Sequence, residues 1–172
     1  LRGLSFTYGD VAQPSLVIDK LEIKAGERIA ILGRTGSGKS TFLRVLSGLY
    51  IPNHGQILVD GLDLKHIDPI SYRDRVGYLS QDVRLFDGTL KDNLVFGHED
   101  ATDSDIIEAV RIAGLDRLIS ENAKGLDMPI YAGGQNLSSG QRQSVGIARL
   151  ILSQPRMFLM DEPTSSMDQQ SE

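Results

Sequence analysis

The spacing of apolar positions divides the chain into stretches of strand type and stretches of helix type. Leu4, Phe6 and Tyr8 alternate with small or polar residues and Leu16 to Ile23 continues the β-type pattern, so two strands are expected, joined through the turn-rich Gly9 to Pro14. "RIAILG", Arg28 to Gly33, is a short apolar run closed by glycine, the pattern of a buried strand. Helical spacing takes over from about Lys39 to Leu49, with Phe42, Leu43, Val45, Leu46 and Leu49 on one face and Pro52 just past the end. "GQILVDG", Gly55 to Gly61, predicts another strand closed by an Asp-Gly turn, and "RVGYLSQD", Arg75 to Asp82, predicts one more. Residues 83 to about 152 read as mainly helical. Thr102 caps a segment in which Ile106, Ile107, Val110 and Ala113 recur at helical spacing, and Asp105 completes a capping box. Ser138 and Gln141 repeat that pattern ahead of an apolar helix whose inward positions include Val145, Ala148 and Leu152. The strand pattern returns at "RMFLMD", Arg156 to Asp161. The order predicts one α/β domain over 1–172: a core from 1–82 and 153–172 that opens with an antiparallel β portion, and a helical subdomain, 83–152, inserted in it.

Composition narrows the function classes. At 172 residues with 40% hydrophobic content the chain can bury one core, and two independent domains are not expected. A formal net charge of -5 with a pI near 5.2 gives no reason to expect nucleic acid as a partner. With no cysteine, disulfides and thiolate metal sites are excluded. The longest apolar runs, such as Ile29 to Leu32 and Met157 to Met160, fall far short of the roughly 20 residues that cross a bilayer, so any membrane-spanning part lies in another chain or segment. The chain starts at Leu1 with no signal-peptide pattern, and is expected to be an excerpt of something longer.

Three constellations carry chemistry. Gly33-Arg34-Thr35-Gly36-Ser37-Gly38-Lys39-Ser40 is G-x-x-x-x-G-K-S between an expected strand and an expected helix. Glycines let the backbone turn N–H groups inward around an anion, Lys39 can reach terminal phosphates, and Ser40 can put its hydroxyl on Mg²⁺. The plain alternative is a glycine-rich turn with no ligand, and kinases, GTPases and motors all use such a loop. "MFLMDEP" ends an apolar strand in Asp161 and Glu162, at the strand end where ligands of open parallel sheets collect. Adjacent strand side chains point apart, so the two acids suit two jobs: Asp161 to hold Mg²⁺, Glu162 to orient and polarise a water. A solvated acidic strand end is the bland alternative. The third is "NLSSGQRQSVGIARLIL", Asn136 to Leu152, whose capped start with Gly140 exposes backbone donors and the positive end of a helix dipole, a second place for a phosphate. Equally, Ser138 caps a core helix and does nothing more.

These residues, in this order, resemble the nucleotide-binding domain of ATP-binding cassette (ABC) transporters over essentially the whole chain. Gly33 to Ser40 matches the Walker A loop, Gln81 in "YLSQD" the Q-loop, and "LSSGQ", Leu137 to Gln141, the signature usually written LSGGQ. "MFLMDEP" matches Walker B with its catalytic glutamate, and "SSMD", Ser165 to Asp168, the D-loop. The resemblance implies a P-loop NTPase core of the ABC ATPase type, with ATP and Mg²⁺ as ligands. Tyr8 would stack on adenine and Gly33 to Thr41 would hold the phosphates. Ser40, Gln81 and Asp161 would serve the metal, and Lys39, Gln81 and Glu162 catalysis. Ser138, Ser139, Gly140, Gln141 and Asp168 would act across a dimer on the partner's nucleotide. The implied partners are a second nucleotide-binding domain and the transmembrane domain of an exporter, at the cytoplasmic face of the inner (plasma) membrane. "QDVRLFDGTLKDNL", Gln81 to Leu94, is similar to the exporter type, where it faces the membrane domain's coupling helices. The wording of 71–93, 132–150 and 165–172 is most similar to bacterial type I secretion ATPases. A soluble ABC-type ATPase that uses ATP-driven dimerisation outside transport is the alternative reading.

Some positions depart from the family pattern. Ser139 replaces the first glycine of the signature pair, where a Cβ crowds a phosphate-facing backbone. Ala132 stands where exporters often carry a glutamate. His54, His66 and His98 do not occupy the place of the family's switch histidine and are expected at the surface, so residues 1–172 alone are expected to hydrolyse ATP poorly.

Overall fold

A computed structural model of the chain describes residues 1–9 and 13–164. It divides into two units, Leu1–Val76 and Gly77–Glu172.

In the first unit β1 (Arg2–Phe6) pairs antiparallel with β2 (Leu16–Lys20), in the register Leu4↔Ile18 and Phe6↔Leu16. The alternation seen in the sequence turns Leu4 and Phe6 inward, where they meet Val45 and Ile57. α1 (Lys39–Leu46) follows, and buries Phe42, Leu43, Val45 and Leu46. It stops short of Leu49 because Gly48 takes a left-handed conformation (φ 72). The Gly48 N–H then bonds the Val45 carbonyl at 3.2 Å and the Leu49 N–H the Arg44 carbonyl at 3.1 Å, the paired bonds of a Schellman stop, leaving Leu49 exposed. The other edge of β1 takes β3 (His54–Gln56), giving the order β2-β1-β3. The strand expected over Gly55 to Gly61 is interrupted at the buried Ile57, and β4 (Leu58–Val59) instead forms a hairpin with β5 (Leu62–Asp63). Asp60 and Gly61 make its two-residue turn, both at positive φ (48 and 85), as a type I′ turn requires. α2 (Pro69–Arg73) closes the unit, its Tyr72 hydroxyl donating to the Leu46 carbonyl at 2.6 Å.

One sequence expectation fails here. Arg28 to Gly33 is not a strand: among the described residues no ladder bond joins it to a neighbour, and Ile29, Ile31 and Leu32 are exposed, Leu32 by 92%. A strand needs a ladder partner for its backbone groups, and both edges of β1 are already taken by β2 and β3.

The second unit runs β6 (Val76–Leu79), β7 (Gly88–Thr89), α3 (Leu90–Leu94), α4 (Asp103–Ile112), α5 (Asp116–Glu121), β8 (Pro129–Ile130), α6 (Ser139–Leu152) and β9 (Met157–Met160). β6 pairs with β9, and β7 with β8 antiparallel. The core is built on Leu90, Leu94, Ile106, Leu115, Ile130 and Val145. Ile106, Val110 and Ala113 face it as the spacing predicts, whereas Ile107 points outward and Leu152 is half-buried. α6 lies close to the loop after β6 because residue 146 is glycine: a Cβ there would stand 2.7 Å from Val83 and 2.8 Å from Leu79. Gly77 is tighter still, with an added Cβ 2.2 Å from Leu150 Cδ1 and 2.7 Å from Pro155 Cγ. Gly77→Ala is therefore expected to cost about 1–3 kcal/mol by overpacking, read as a lower denaturation midpoint at unchanged m.

The capping boxes foreseen at Thr102 and Ser138 are both present, and α3 has a third, between Thr89 and Asp92. Asp105 is held below the usual carboxylate value by the Thr102 hydroxyl and then its N–H, and Asp92 by the Thr89 N–H and then its hydroxyl. A carboxyl depressed in the folded state adds stability that is complete above its unfolded value of 3.8 and lost as pH falls through the folded value. The stability difference between the wild type and Asp105→Asn should thus be present at neutral pH and close as the pH drops below 3.8, measured by thermal unfolding.

Candidate functional site

The glycine loop lies wholly in the first unit. Gly36 and Gly38 have φ of 81 and 90, a conformation that side-chain-bearing residues avoid, and at Gly33 a Cβ would strike the Ser37 hydroxyl at 2.5 Å. The Ser37 N–H turns back to the Arg34 carbonyl at 3.1 Å. Lys39 Nζ donates to the carbonyls of Gly33 (2.9 Å) and Arg34 (3.2 Å), so the ammonium curls over the loop. Unlike α3, α4 and α6, α1 has no side-chain cap: Gly38 is its N-cap, leaving the first-turn amides of Lys39 and Ser40 for an anion. Thr35 is exposed and Ser40 half-buried, while Thr41 is buried with its hydroxyl 3.0 Å from that of Tyr8. Tyr8 meets Phe6 and Tyr50 edge-on, at ring separations of 4.9 and 5.5 Å, and keeps 37% of its surface exposed. An exposed aromatic face is thereby tied to the helix that follows the loop. These residues fit a nucleotide whose phosphates sit in the loop.

The second unit brings together residues 81 apart in sequence. The Gln81 amide Nε2 donates to Glu162 Oε2 at 2.8 Å. β6 and β9 cause this meeting: they lie side by side, the Asp161 N–H donating to the Leu79 carbonyl at 2.9 Å, so both residues leave neighbouring strand ends. Asp161 is buried, with 5% of its surface exposed, and Glu162 is exposed, with its backbone in the left-handed region (φ 49). Such a φ in a residue other than glycine costs on the order of 1–3 kcal/mol and recurs at functional sites. A buried carboxylate beside an exposed one that accepts an amide hydrogen bond is a donor set suited to a hard divalent cation and a water.

α6 begins at the signature segment. Ser138 Oγ accepts the Gln141 N–H at 3.1 Å and Gln141 Oε1 the Ser138 N–H at 2.9 Å, which leaves the amides of Ser139 and Gly140 outside the box. Ser139 is exposed in the first turn, and Gly140 is half-buried. Arg142 steadies the approach to the helix by donating to the Leu137 carbonyl at 2.7 Å. Ser165 to Asp168, matched to the D-loop, lie outside the described residues. His54 and His66 are exposed and His98 half-buried.

The sequence did not single out Asn93 and Arg149. Asn93 is fully buried, and Arg149 reaches it from α6. The available signal was an arginine inside the otherwise apolar "VGIARLIL", since a charge within such a run needs a buried partner.

Comparison with known proteins places this geometry in a class. The family model described as ABC transporter matches residues 18–165. The chain belongs to the ABC transporter family. It is 39% identical over 173 residues to ABC transporter B family member 1 of Dictyostelium discoideum, which takes in 100% of this chain and 19% of that protein. It is 43% identical over 152 residues to the ATP-dependent lipid A-core flippase of Neisseria meningitidis, 88% of this chain and 24% of that one. Among solved structures, a bacterial Atm1-family ABC exporter with ATP bound superposes with a TM-score of 0.94 at 34% identity, covering 99% of this chain and 30% of that chain. The chain thus spans a quarter or less of these two curated relatives. Among the described residues no helix is long and apolar enough to cross a membrane.

Proposed function

We propose that this chain is the ATP-hydrolysing motor domain of an ABC exporter, and the single observation that carries the reading is the Gln81 amide on the Glu162 carboxylate. A phosphate loop alone fits any nucleotide-binding protein. A strand-end carboxylate held by a glutamine, next to a buried aspartate, adds the means to activate water. In this reading the backbone amides around Gly36 to Ser40 hold the phosphates, Lys39 turns its ammonium from the loop carbonyls to the terminal phosphate, and Tyr8 offers its exposed face to the base. Asp161 and Gln81 are the residues of the second unit that would hold Mg²⁺, and Ser40 is the candidate ligand in the first; the ion would supply neutralisation of charge on the transferred phosphoryl group. Glu162 takes the proton of the attacking water. The α6 start at Ser138 to Gln141 serves the nucleotide of a second copy or homologous domain, which gives the domain a reason to dimerise on ATP.

The named relatives support export: a lipid A-core flippase, and a multidrug efflux ATP-binding/permease protein of Mycobacterium bovis that is 38% identical over 167 residues. We place the domain at the cytoplasmic face of a membrane, working on a transmembrane domain. Type I secretion of a protein cargo rests on the wording of 71–93, 132–150 and 165–172 alone. The test is phosphate release by the intact transporter in proteoliposomes. Magnesium-dependent hydrolysis of ATP is expected, and no release at saturating Mg-ATP would sink the reading.

A further inference from the structure

Arg149 has no part in the chemistry just proposed, yet its guanidinium is held on every side. Nη1 donates to the Arg84 carbonyl at 2.9 Å, Nη2 to Asn93 Oδ1 at 2.9 Å, and Nε to the Asn93 carbonyl. Asn93 is saturated in turn: its amide donates to the carbonyls of Phe86 and Thr89, each at 3.0 Å, and its Oδ1 also accepts the Phe86 N–H at 3.1 Å. Phe86 and Phe96 cover the outer side, each ring centroid 6.0 Å from the guanidinium carbon. One planar fork thus fastens both ends of the segment 84–93 to α6, which a point charge such as an ammonium would not reproduce.

The bracket lies three residues beyond Gln81. Before Gln81 the chain is fixed by β6, where the Leu79 carbonyl accepts the Asp161 N–H. Ser80 Oγ donates to the Asp82 carbonyl at 2.8 Å, tightening the turn, and Val83 is buried against Gly146 of α6. After Gln81 the first polar anchor to another element is Arg149 on the Arg84 carbonyl. The Gln81 side chain itself is exposed, and its amide meets the Glu162 carboxylate. A link this short, pinned at both ends, passes a displacement of one end directly to its middle.

We propose that Arg149 is a positioning residue for Gln81: its fork on the Arg84 and Asn93 carbonyls sets the loop so that the Gln81 amide meets Glu162. This rests on the reading of Gln81 and Glu162 as the groups that handle the attacking water. Because Ser138 caps the start of α6, the helix that opens at the signature turn also carries the arginine that fastens the glutamine loop, while Lys39 and Tyr8 lie in the other unit.

The test is a double-mutant cycle on ATP hydrolysis by the intact transporter, comparing wild type, Gln81→Ala, Arg149→Lys and the double variant. Arg149→Lys should lower kcat by roughly ten- to a hundred-fold, the range a misplacement of about 1 Å produces, with KM for ATP unchanged. The double variant should be no slower than Gln81→Ala alone, because a purely structural role would give effects that multiply. Multiplying effects with a slow Gln81→Ala overturn this inference and leave the proposed function standing, as does an Arg149→Lys change confined to KM. A Gln81→Ala that hydrolyses at the wild-type rate overturns both this inference and the role given to Gln81. Should Arg149→Lys not fold by circular dichroism, Arg149→Gln, which keeps a planar donor, replaces it in the same cycle.

Discussion

Glu162→Gln is expected to lower ATP hydrolysis by about 10²- to 10⁴-fold, the usual worth of a positioned general base, while ATP stays bound. The substitution changes one atom. Glutamine has the size of glutamate and keeps a carbonyl oxygen that can accept the Gln81 amide, now 2.8 Å from Glu162 Oε2, so the contact between the two strand ends survives. What goes is the negative charge and the site to receive a proton. The side chain is exposed, so the exchange leaves no buried group unpaired and stability should hardly move. The phosphate loop lies in the other unit and keeps its full set of donors. Binding and turnover therefore separate: filter-retained ATP should persist while phosphate release stops, and with hydrolysis stalled the ATP-joined dimer should accumulate. Undiminished phosphate release from the intact transporter carrying Glu162→Gln would remove Glu162 from the mechanism.

How much of this was readable before the structure depended on sequence separation. The capping boxes at Thr102 and Ser138 were legible because donor and acceptor stand three residues apart, and one local turn satisfies both. The Asp60-Gly61 turn was legible for the same reason, though not the hairpin that it closes. The end of α1 was misplaced because Leu49 continued the apolar spacing, while the left-handed preference of Gly48, one residue earlier, decided the matter. Arg28 to Gly33 failed in the opposite way. Its apolar content announces a strand, but a strand is a relation between segments, and no periodicity within six residues says whether partners arrive. The site shows the same division. The phosphate loop and the acidic pair are contiguous and could be named from the residues. The Gln81 contact with Glu162 spans 81 positions, and Arg149 reaches back 56 to Asn93 and 65 to Arg84. Side-chain partners at such distances are set by which strands pair and which helix covers them.

Lys39→Ala should give the opposite separation from Glu162→Gln, with binding and hydrolysis lost together. The Lys39 ammonium now spends its donors on the carbonyls of Gly33 and Arg34, at 2.9 and 3.2 Å. Those carbonyls belong to an exposed loop and can be served by water, so the lysine is not needed to hold them. A phosphate in the loop has no such substitute. The amides of α1 supply partial charges of the helix terminus, and Lys39 supplies the whole positive charge nearest to them. A charge-assisted hydrogen bond is worth about 1.5–3 kcal/mol, so ATP affinity should fall about 10- to 150-fold, and hydrolysis by more, because charge on the terminal phosphate oxygens rises toward the transition state. Lys39→Arg separates charge from shape. It keeps the cation but offers a wide planar fork where the loop presents two carbonyls to a compact ammonium, and it should recover part of the binding and little of the rate. Calorimetric titration with ATP, run beside phosphate release at saturating nucleotide, reads both quantities. An alanine variant that binds ATP as tightly as the wild type would mean that the ammonium stays on its own loop, and that the backbone amides alone hold the phosphates.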